Sequence, residues 1–163
     1  IILYNVPSRT GLSFTAETYK ALSKHPNING VKEASSNFSL IAATIADCGD
    51  DLYVWSGNDN ETVPMMSLGA KGVISVVANI LPGLMAELTQ ACLEGDFAKG
   101  ASLQLKYLEL MNRLFIEVNP IPVKAAMNLM GMNVGEPRLP LCEMEPANLE
   151  KLKEAMRRVN LIQ

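Results

Sequence analysis

Short apolar runs alternate with amphipathic segments along the first half of the chain. The runs have the length and apolar content of strands that are covered on both faces. They are predicted at Ile1 to Val6, Ile28 to Lys32, Leu52 to Trp55 and Gly72 to Val77. Because helical segments fill most of the gaps between them, the sequence predicts a parallel sheet with right-handed crossovers.

Residues that begin and end helices flank these helical segments. Thr15 is a candidate N-cap for the segment between the first two runs. The segment from Ser39 to Cys48 precedes Gly49, which predicts a left-handed stop. The segment from Asn60 to Leu68 is shorter and contains Pro64.

From Asn79 onward the pattern predicts helices alone. They are expected at Leu81 to Leu93, Phe97 to Val118, Pro122 to Met130 and about Pro146 to Val159. The apolar face of the longest is expected at Leu103, Leu105, Leu108, Leu110, Met111, Leu114 and Phe115. The sequence thus divides into a strand-and-helix unit, residues 1–95, and a C-terminal helical region, residues 96–163. Most of the nine methionines are expected to fill the core.

Length limits the architectures that this pattern can form. The chain has 163 residues, of which 48% are hydrophobic, so a packed core is expected and a disordered tail is excluded. A complete eight-stranded βα barrel of about 250 residues does not fit. Four strand–helix units can form either an open α/β sheet or half of a barrel, and the periodicity alone leaves both open. In either case chemistry is expected at the carboxyl ends of the strands.

Charge and cysteine content argue against several classes of partner. The net charge is −3 and no basic stripe is present, so neither nucleic acid nor an anionic membrane is an expected partner. The longest stretch without an ionisable residue, Gly72 to Ala86, is shorter than the roughly 20 residues that span a bilayer. Cys48, Cys92 and Cys142 are widely spaced, which is typical of buried thiols in a reducing compartment, and cytoplasmic localisation is expected.

Three side chains at the predicted strand ends are candidates for chemistry. Lys32 ends the second run, where burial disfavours its charged form, and a neutral amine can attack a ketone to form an imine. The alternative is a lysine that reaches water from the end of a strand. Tyr4 can relay protons or be a buried aromatic with a satisfied hydroxyl. Arg9, in a Pro-Ser-Arg-Thr-Gly loop, suits a substrate carboxylate, or has a structural or interface role.

Other polar residues favour structural interpretations. His25 is the only histidine, so a catalytic triad or a zinc site lacks its partners. The cluster from Asn58 to Glu61 lacks the spacing of a calcium hand and is explained by a loop leading into a helix. No metal site is predicted.

Five segments of the chain form a recognisable set of motifs. They are Tyr4-Asn-Val-Pro-Ser-Arg-Thr-Gly11, Gly30-Val-Lys-Glu-Ala-Ser35, Ser56-Gly-Asn-Asp59, Gly69-Ala-Lys-Gly-Val-Ile-Ser-Val76 and Asn119-Pro-Ile-Pro-Val-Lys124. Together they resemble the dihydrodipicolinate synthase family of pyruvate-dependent class I lyases. The resemblance covers essentially the whole chain in register. The first segment is the most specific, because sialic-acid lyases share its start but lack the Ser-Arg-Thr continuation.

The resemblance implies a mechanism. Lys32 is expected to form an imine with pyruvate, and the derived enamine attacks the aldehyde of aspartate 4-semialdehyde. Tyr4 matches the family's proton-shuttle tyrosine, and Arg9 matches the arginine that receives the semialdehyde carboxylate. No metal or organic cofactor is implied beyond the covalent pyruvate imine.

The resemblance also implies further substrate-binding residues. Ile74 matches a position whose backbone contacts bound pyruvate, Gly57 lines the same pocket, and Asn119 borders it.

The resemblance implies that the chain is the second half of a TIM (β/α)8 barrel followed by the C-terminal helical region. Its first run matches the family's fifth strand, so we expect a chain that is stable and active only beside the N-terminal half. A homo-oligomer is expected, in this family a tetramer built from dimers. Two alternatives stay open: another pyruvate-dependent lyase, acting on N-acetylneuraminate or a keto-sugar acid, and a non-catalytic half-barrel that acts by assembly.

Overall fold

A computed structural model describes all residues, 1–163, and its elements alternate between strand and helix before a run of helices. The strands are β1 (Ile2–Asn5), β2 (Gly30–Glu33) and β3 (Tyr53–Ser56). The helices are α1 (Pro7–Thr10), α2 (Ala16–Leu22), α3 (Phe38–Cys48), α4 (Thr62–Ser67), α5 (Pro82–Leu93), α6 (Phe97–Arg113), α7 (Ile121–Leu129) and α8 (Pro146–Arg158). Short 3₁₀ turns cover Gly49–Asp51, Asp59–Glu61 and Val77–Asn79.

The three strands form one parallel sheet in the order β1-β2-β3, which confirms the predicted α/β class. Tyr4 pairs in register with Lys32, and Asn5 pairs with Glu33. Lys32 in turn pairs with Trp55 on β3. The ends of neighbouring parallel strands therefore meet at one edge of the sheet, and this register decides which side chains meet there.

The prediction of a fourth strand is wrong, because Gly72 to Val77 does not form a regular strand. Only one isolated parallel bridge forms, between Ser56 and Val73. Residues 71–74 still bond to β3: the N–H of Lys71 donates to the carbonyl of Val54 at 2.8 Å, and the N–H of Ser56 donates to the carbonyl of Gly72 at 2.9 Å. Gly72 lies at φ +149°, outside the β region, and the segment turns into the 3₁₀ turn Val77–Asn79, so this pairing does not extend into a regular strand.

Side-chain caps begin two of the early helices. The side chain of Thr15 accepts a hydrogen bond from the N–H of Thr18, which confirms its predicted N-cap role at α2. Asn37 caps α3 in the same way through the N–H of Leu40. Gly49 follows α3 with φ +54° but ψ −129°, so the helix ends there without the predicted left-handed conformation.

The helices after residue 79 form as predicted, with one boundary wrong. Helix α6 ends at Arg113 rather than Val118, because the N–H of Phe115 already bonds the closer carbonyl of Asn112 in a tighter turn. Its predicted apolar face is also partly wrong, since Leu105 and Phe115 are exposed.

A single buried cluster of 25 residues connects the early and late helices and the sheet. Six of the nine methionines belong to it, and Met132 is exposed. Cys48 and Cys92 are buried as expected, but Cys142 is exposed, because it lies in the loop before α8. The division at residues 95 and 96 stays a prediction.

No helix of the structure combines the length and the apolar character that crossing a membrane requires.

Candidate active site

Tyr4 and Lys32 lie side by side at the carboxyl ends of β1 and β2. They are register partners on adjacent strands, so their side chains project from the same face of the sheet. Lys32 Nζ lies 4.5 Å from the centroid of the Tyr4 ring. Lys32 is half-buried, so the desolvation expected from its strand position is partial, and Tyr4 is exposed to 47%.

A cavity of about 470 Å³ opens in front of this pair. Of the six residues proposed from sequence, five line it: Tyr4, Arg9, Lys32, Gly57 and Asn119. The volume falls within the range of small-ligand sites. The structure thus brings together side chains from three strand ends and from the connection between α6 and α7.

Arg9 lies in a helical turn rather than in the predicted loop. Pro7 opens α1 with the φ that a helix start requires, and Gly11 ends it at φ +69° with its N–H on the carbonyl of Pro7. The Arg9 guanidinium is exposed and donates from Nη2 to the backbone carbonyl of Asn119 at 3.3 Å. A guanidinium has five N–H donors, so others stay available to a ligand carboxylate.

Gly57 has no room for a side chain. Its N–H donates to the carbonyl of Glu33 at 2.7 Å, which draws the end of β3 against the end of β2. A Cβ at this position would lie 2.7 Å from the Cβ of Ala34 and 3.1 Å from the carbonyl oxygen of Glu33. The glycine therefore allows a close approach of two strand ends that shapes the cavity wall.

Residues 115–119 form the wall of the cavity that faces the strand ends. Asn119 Oδ1 is buried there without a hydrogen-bond partner. Glu117 Oε1 accepts from the N–H of Glu145 at 3.0 Å and from Nδ2 of Asn148 at 2.9 Å, which ties this wall to the start of α8. The sequence reasoning missed most of this wall because it extended α6 to Val118.

Ile74 does not line the cavity. It is exposed to 39%, and its N–H donates to the carbonyl of Ser56 at 2.9 Å, one residue before Gly57. The predicted backbone contact of Ile74 with a ligand stays a prediction.

Asp59 is a buried carboxylate that the sequence reasoning assigned to a loop leading into a helix. It is exposed to only 1%, and its Oδ2 accepts from the N–H groups of Val76 and Val77 at 3.0 and 3.1 Å. The side chain thus holds the cavity residue Val76 against the end of β3. Burial raises the pKa of Asp59 above its ordinary value, against the opposing effects of its hydrogen bonds and of Lys32.

Two further polar residues, Asn5 and Glu33, directly follow Tyr4 and Lys32 and point to the opposite face of the sheet. Both are buried. The alternation of side chains along a strand is the sequence signal for this placement, and neither residue is among the predicted site residues. No group of three or more His, Cys, Asp or Glu side chains lies together as a metal site would require.

The fold and this arrangement define a class. A parallel α/β chain that places a lysine beside a tyrosine at the carboxyl ends of its strands, facing a small-ligand cavity, has the organisation of a barrel-type or open-sheet α/β enzyme. Residues 1–159 match the Dihydrodipicolinate synthetase family. The chain belongs to that family.

Relatives of known name agree with this assignment. The chain is 54% identical to a 4-hydroxy-tetrahydrodipicolinate synthase of Caldicellulosiruptor saccharolyticus, over 96% of the chain and 52% of that protein. It is 52% identical to the synthase of Thermoanaerobacter sp. strain X514, over 99% of the chain and 55% of that protein. The chain thus spans about half the length of these curated relatives.

Solved structures of this family superpose closely on the chain. The dihydrodipicolinate synthase from Aquifex aeolicus superposes with a TM-score of 0.95 at 45% identity, covering 99% of this chain and 55% of that one. The Thermotoga maritima synthase gives 0.95 at 39% identity, covering 99% and 56%. At these identities, likeness of fold and likeness of sequence agree.

Proposed function

We propose that the chain is the lysine-bearing half of a synthase that condenses pyruvate with L-aspartate 4-semialdehyde through an imine on Lys32. The observation that carries the proposal is the pairing of Lys32 with Tyr4 at the cavity, in a chain that belongs to the dihydrodipicolinate synthetase family. The names of the relatives support the condensation as the reaction.

The proposed architecture is half of a (β/α)8 barrel, residues 1–95, followed by a helical region, residues 96–163. Three parallel strands with a bridge to Val73 on the outer side of β3 support this arrangement. β1 is an edge strand, and an adjoining strand of the first barrel half would pair with its free backbone edge. The coverage of only about half of each relative agrees with this proposal.

The first proposed step is imine formation. The unprotonated amine of Lys32 attacks the ketone carbon of pyruvate, the C–N bond forms, and the former ketone oxygen leaves as water. The protonated imine nitrogen then withdraws electrons, so loss of a proton from the adjacent methyl carbon gives an enamine. In this chemistry the imine itself is the electron sink, and neither a metal nor an organic cofactor is part of the proposal.

Tyr4 is proposed to move the protons of these steps. Its ring lies against Lys32 Nζ, so its hydroxyl belongs to the same end of the cavity as the reacting carbon. A phenol in such a place can donate a proton to the departing oxygen and accept one afterwards.

The second substrate is proposed to bind between Arg9 and Asn119. The enamine carbon attacks the aldehyde carbon of the semialdehyde while the guanidinium of Arg9 holds the carboxylate. The carbon–carbon bond forms, the aldehyde oxygen takes a proton and becomes a hydroxyl, and the enamine returns to the imine on Lys32. The backbone carbonyl of Asn119 accepts from the Arg9 guanidinium and so holds it at the cavity. The amino group of the semialdehyde then displaces Lys32 from the imine carbon, which closes the ring and releases the product with Lys32 as the free amine.

The test uses what we call the complemented chain: this chain co-produced with the part of the Thermoanaerobacter synthase that it does not cover. It is incubated with pyruvate and either aspartate 4-semialdehyde or N-acetylmannosamine, the condensation partner of a sialic-acid lyase. Cyclised product with the semialdehyde alone supports the proposal. Activity with the amino sugar alone favours the alternative lyase, and activity with neither favours a non-catalytic half-barrel.

We also propose that the complemented chain forms a homo-oligomer, as the family resemblance implies. Sedimentation velocity decides this directly. A mass near four or two complemented chains supports the proposal, and a mass of one complemented chain contradicts it.

A further inference from the structure

A buried polar cluster lies directly behind the proposed catalytic pair. Asn5 Nδ2 lies 3.0 Å from both carboxylate oxygens of Glu33. The hydroxyl of Tyr19 donates to Glu33 Oε2 at 2.8 Å, and the N–H of Ser35 donates to Oε1 at 2.8 Å. One carboxylate thus joins β1, β2 and helix α2.

The cluster is closed to solvent, and both oxygens of the Glu33 carboxylate accept hydrogen bonds. Asn5, Tyr19 and Glu33 are exposed to 1%, 0% and 2%. Burial, together with the neighbouring charge of Glu33, raises the pKa of Tyr19, so the phenol keeps the proton that it donates. A buried carboxylate is tolerated when several donors surround it, and losing one of them leaves an unpaired polar group that destabilises the fold.

The register of the sheet connects this cluster to the cavity. Asn5 pairs with Glu33 as Tyr4 pairs with Lys32, one residue earlier on each strand. Because side chains alternate between faces, one pair faces the cavity and the other faces α2. A slip of one residue between the strands would turn Lys32 away from Tyr4, and the Asn5–Glu33 contact opposes such a slip.

We propose that Glu33 is a positioning residue that holds Lys32 opposite Tyr4 through its bonds to Asn5 and Tyr19. It touches no reacting atom and acts through the strands that carry the catalytic pair. This inference rests on the proposed function, since it concerns the rate at which Lys32 forms its imine.

The cluster also receives support from the next strand. Gly57 N–H donates to the backbone carbonyl of the same Glu33. Both the side chain and the backbone of Glu33 are therefore bonded across the sheet, to β1 on one side and to the end of β3 on the other. Glu33 is therefore bonded to the strand ends on both of its sides.

The test measures trapping of pyruvate on Lys32 by borohydride in the complemented chain, as a rate per folded protein. In Glu33→Gln, an amide replaces the carboxylate that accepts from Asn5, Tyr19 and Ser35. Lys32 and Tyr4 should then be held less accurately, so we expect the trapping rate to fall about tenfold. The double variant Asn5→Asp with Glu33→Gln exchanges the two groups and restores an amide–carboxylate pair. We expect it to return to within about threefold of the unmodified rate, a recovery that destabilisation alone cannot give.

Two further variants keep the test decisive. Tyr19→Phe keeps the packed ring and removes one donor, so a fall of about threefold is expected even if Glu33→Gln does not fold. Gln104→Leu is the control: it removes a buried amide whose bonds to Val63 and Asn60 lie away from β1 and β2. It should lower stability and leave the rate per folded protein unchanged.

Each outcome has one meaning. Unchanged rates in Glu33→Gln and Tyr19→Phe, a double variant no faster than Glu33→Gln, or an equal loss in Gln104→Leu overturns the positioning role while the proposed function stands. If the unmodified complemented chain traps no pyruvate, the proposed function fails and the positioning role fails with it.

Discussion

Lys32 and Tyr4 occupy paired positions on adjacent parallel strands, with the lysine Nζ 4.5 Å from the centroid of the tyrosine ring. An ammonium or amine at this distance lies within the range of a contact with an aromatic face. The contact holds the lysine nitrogen over the tyrosine ring rather than in a hydrogen bond with its hydroxyl.

Tyr4→Phe tests the role of the tyrosine hydroxyl apart from that of the ring. The ring and its contact with Lys32 are kept, so the fold should be unaffected, while proton transfer loses its relay. We expect the turnover of the complemented chain to fall about 100-fold. Steady-state kinetics measure the loss, and thermal unfolding checks that stability is unchanged. Turnover close to that of the unmodified protein would remove Tyr4 from the mechanism.

Arg9→Ala should weaken the second substrate and leave the first untouched. Losing a charge-assisted bond to a carboxylate raises the KM for aspartate 4-semialdehyde about tenfold. Trapping of pyruvate on Lys32 should proceed at the unmodified rate. Arg138→Ala is the matched control, because Arg138 is exposed and does not line the cavity. If Arg9→Ala and Arg138→Ala behave alike, the proposed carboxylate site is wrong.

Gly57→Ala should be destabilising because its new Cβ would meet the backbone and the Cβ of neighbouring residues. Overpacking of this kind costs about 1–3 kcal/mol. Gly83→Ala is the control: a Cβ there meets nothing within 4 Å, and alanine favours a helix such as α5 by up to about 1 kcal/mol. Urea unfolding of both complemented variants measures the difference, and equal stabilities would contradict the close approach at Gly57.

Asp59→Asn should change the pH dependence of stability. Burial raises the pKa of Asp59 above 3.8, so the folded state holds this proton at pH values where the unfolded state has lost it. The stability contributed by Asp59 therefore falls as pH rises from 3.8 through the raised folded value. Asparagine does not titrate, so the free energy of unfolding of Asp59→Asn, relative to the unmodified protein, should increase over that interval.

Urea titrations of both proteins across the acidic range measure this difference. A difference that stays constant with pH, or that declines as pH rises, contradicts the raised pKa. Since every other carboxylate is shared, its titration cancels in the comparison.

Much of the fold could be predicted from local patterns. The apolar runs around Val31 and Val54 predict buried parallel strands because covered strands need apolar residues on both faces. Thr15 marks a helix start because its hydroxyl accepts a backbone N–H bond. The predicted fourth strand was not found because Gly72 adopts a φ of +149°. A glycine has no side chain to restrict its φ, so the surrounding chain sets it and the local pattern does not reveal it.

The site could be predicted only in part. The positions of Lys32 and Tyr4 at strand ends are visible in the sequence, but their pairing depends on the register between β1 and β2. The burial of Asp59 depends on the return of residues 76 and 77 to the end of β3, a contact between distant segments. The cavity wall that contains Glu117 and Asn119 could not be predicted in full, because it depends on where α6 ends. Tertiary packing decides that end.

The central claim is that Lys32 forms an imine with pyruvate. The most direct measurement is borohydride reduction of the complemented chain in the presence of pyruvate, followed by peptide mass spectrometry to locate the adduct. The account predicts one stable adduct, on Lys32, that is absent from Lys32→Arg. No adduct, or an adduct on another lysine such as Lys71, would contradict it.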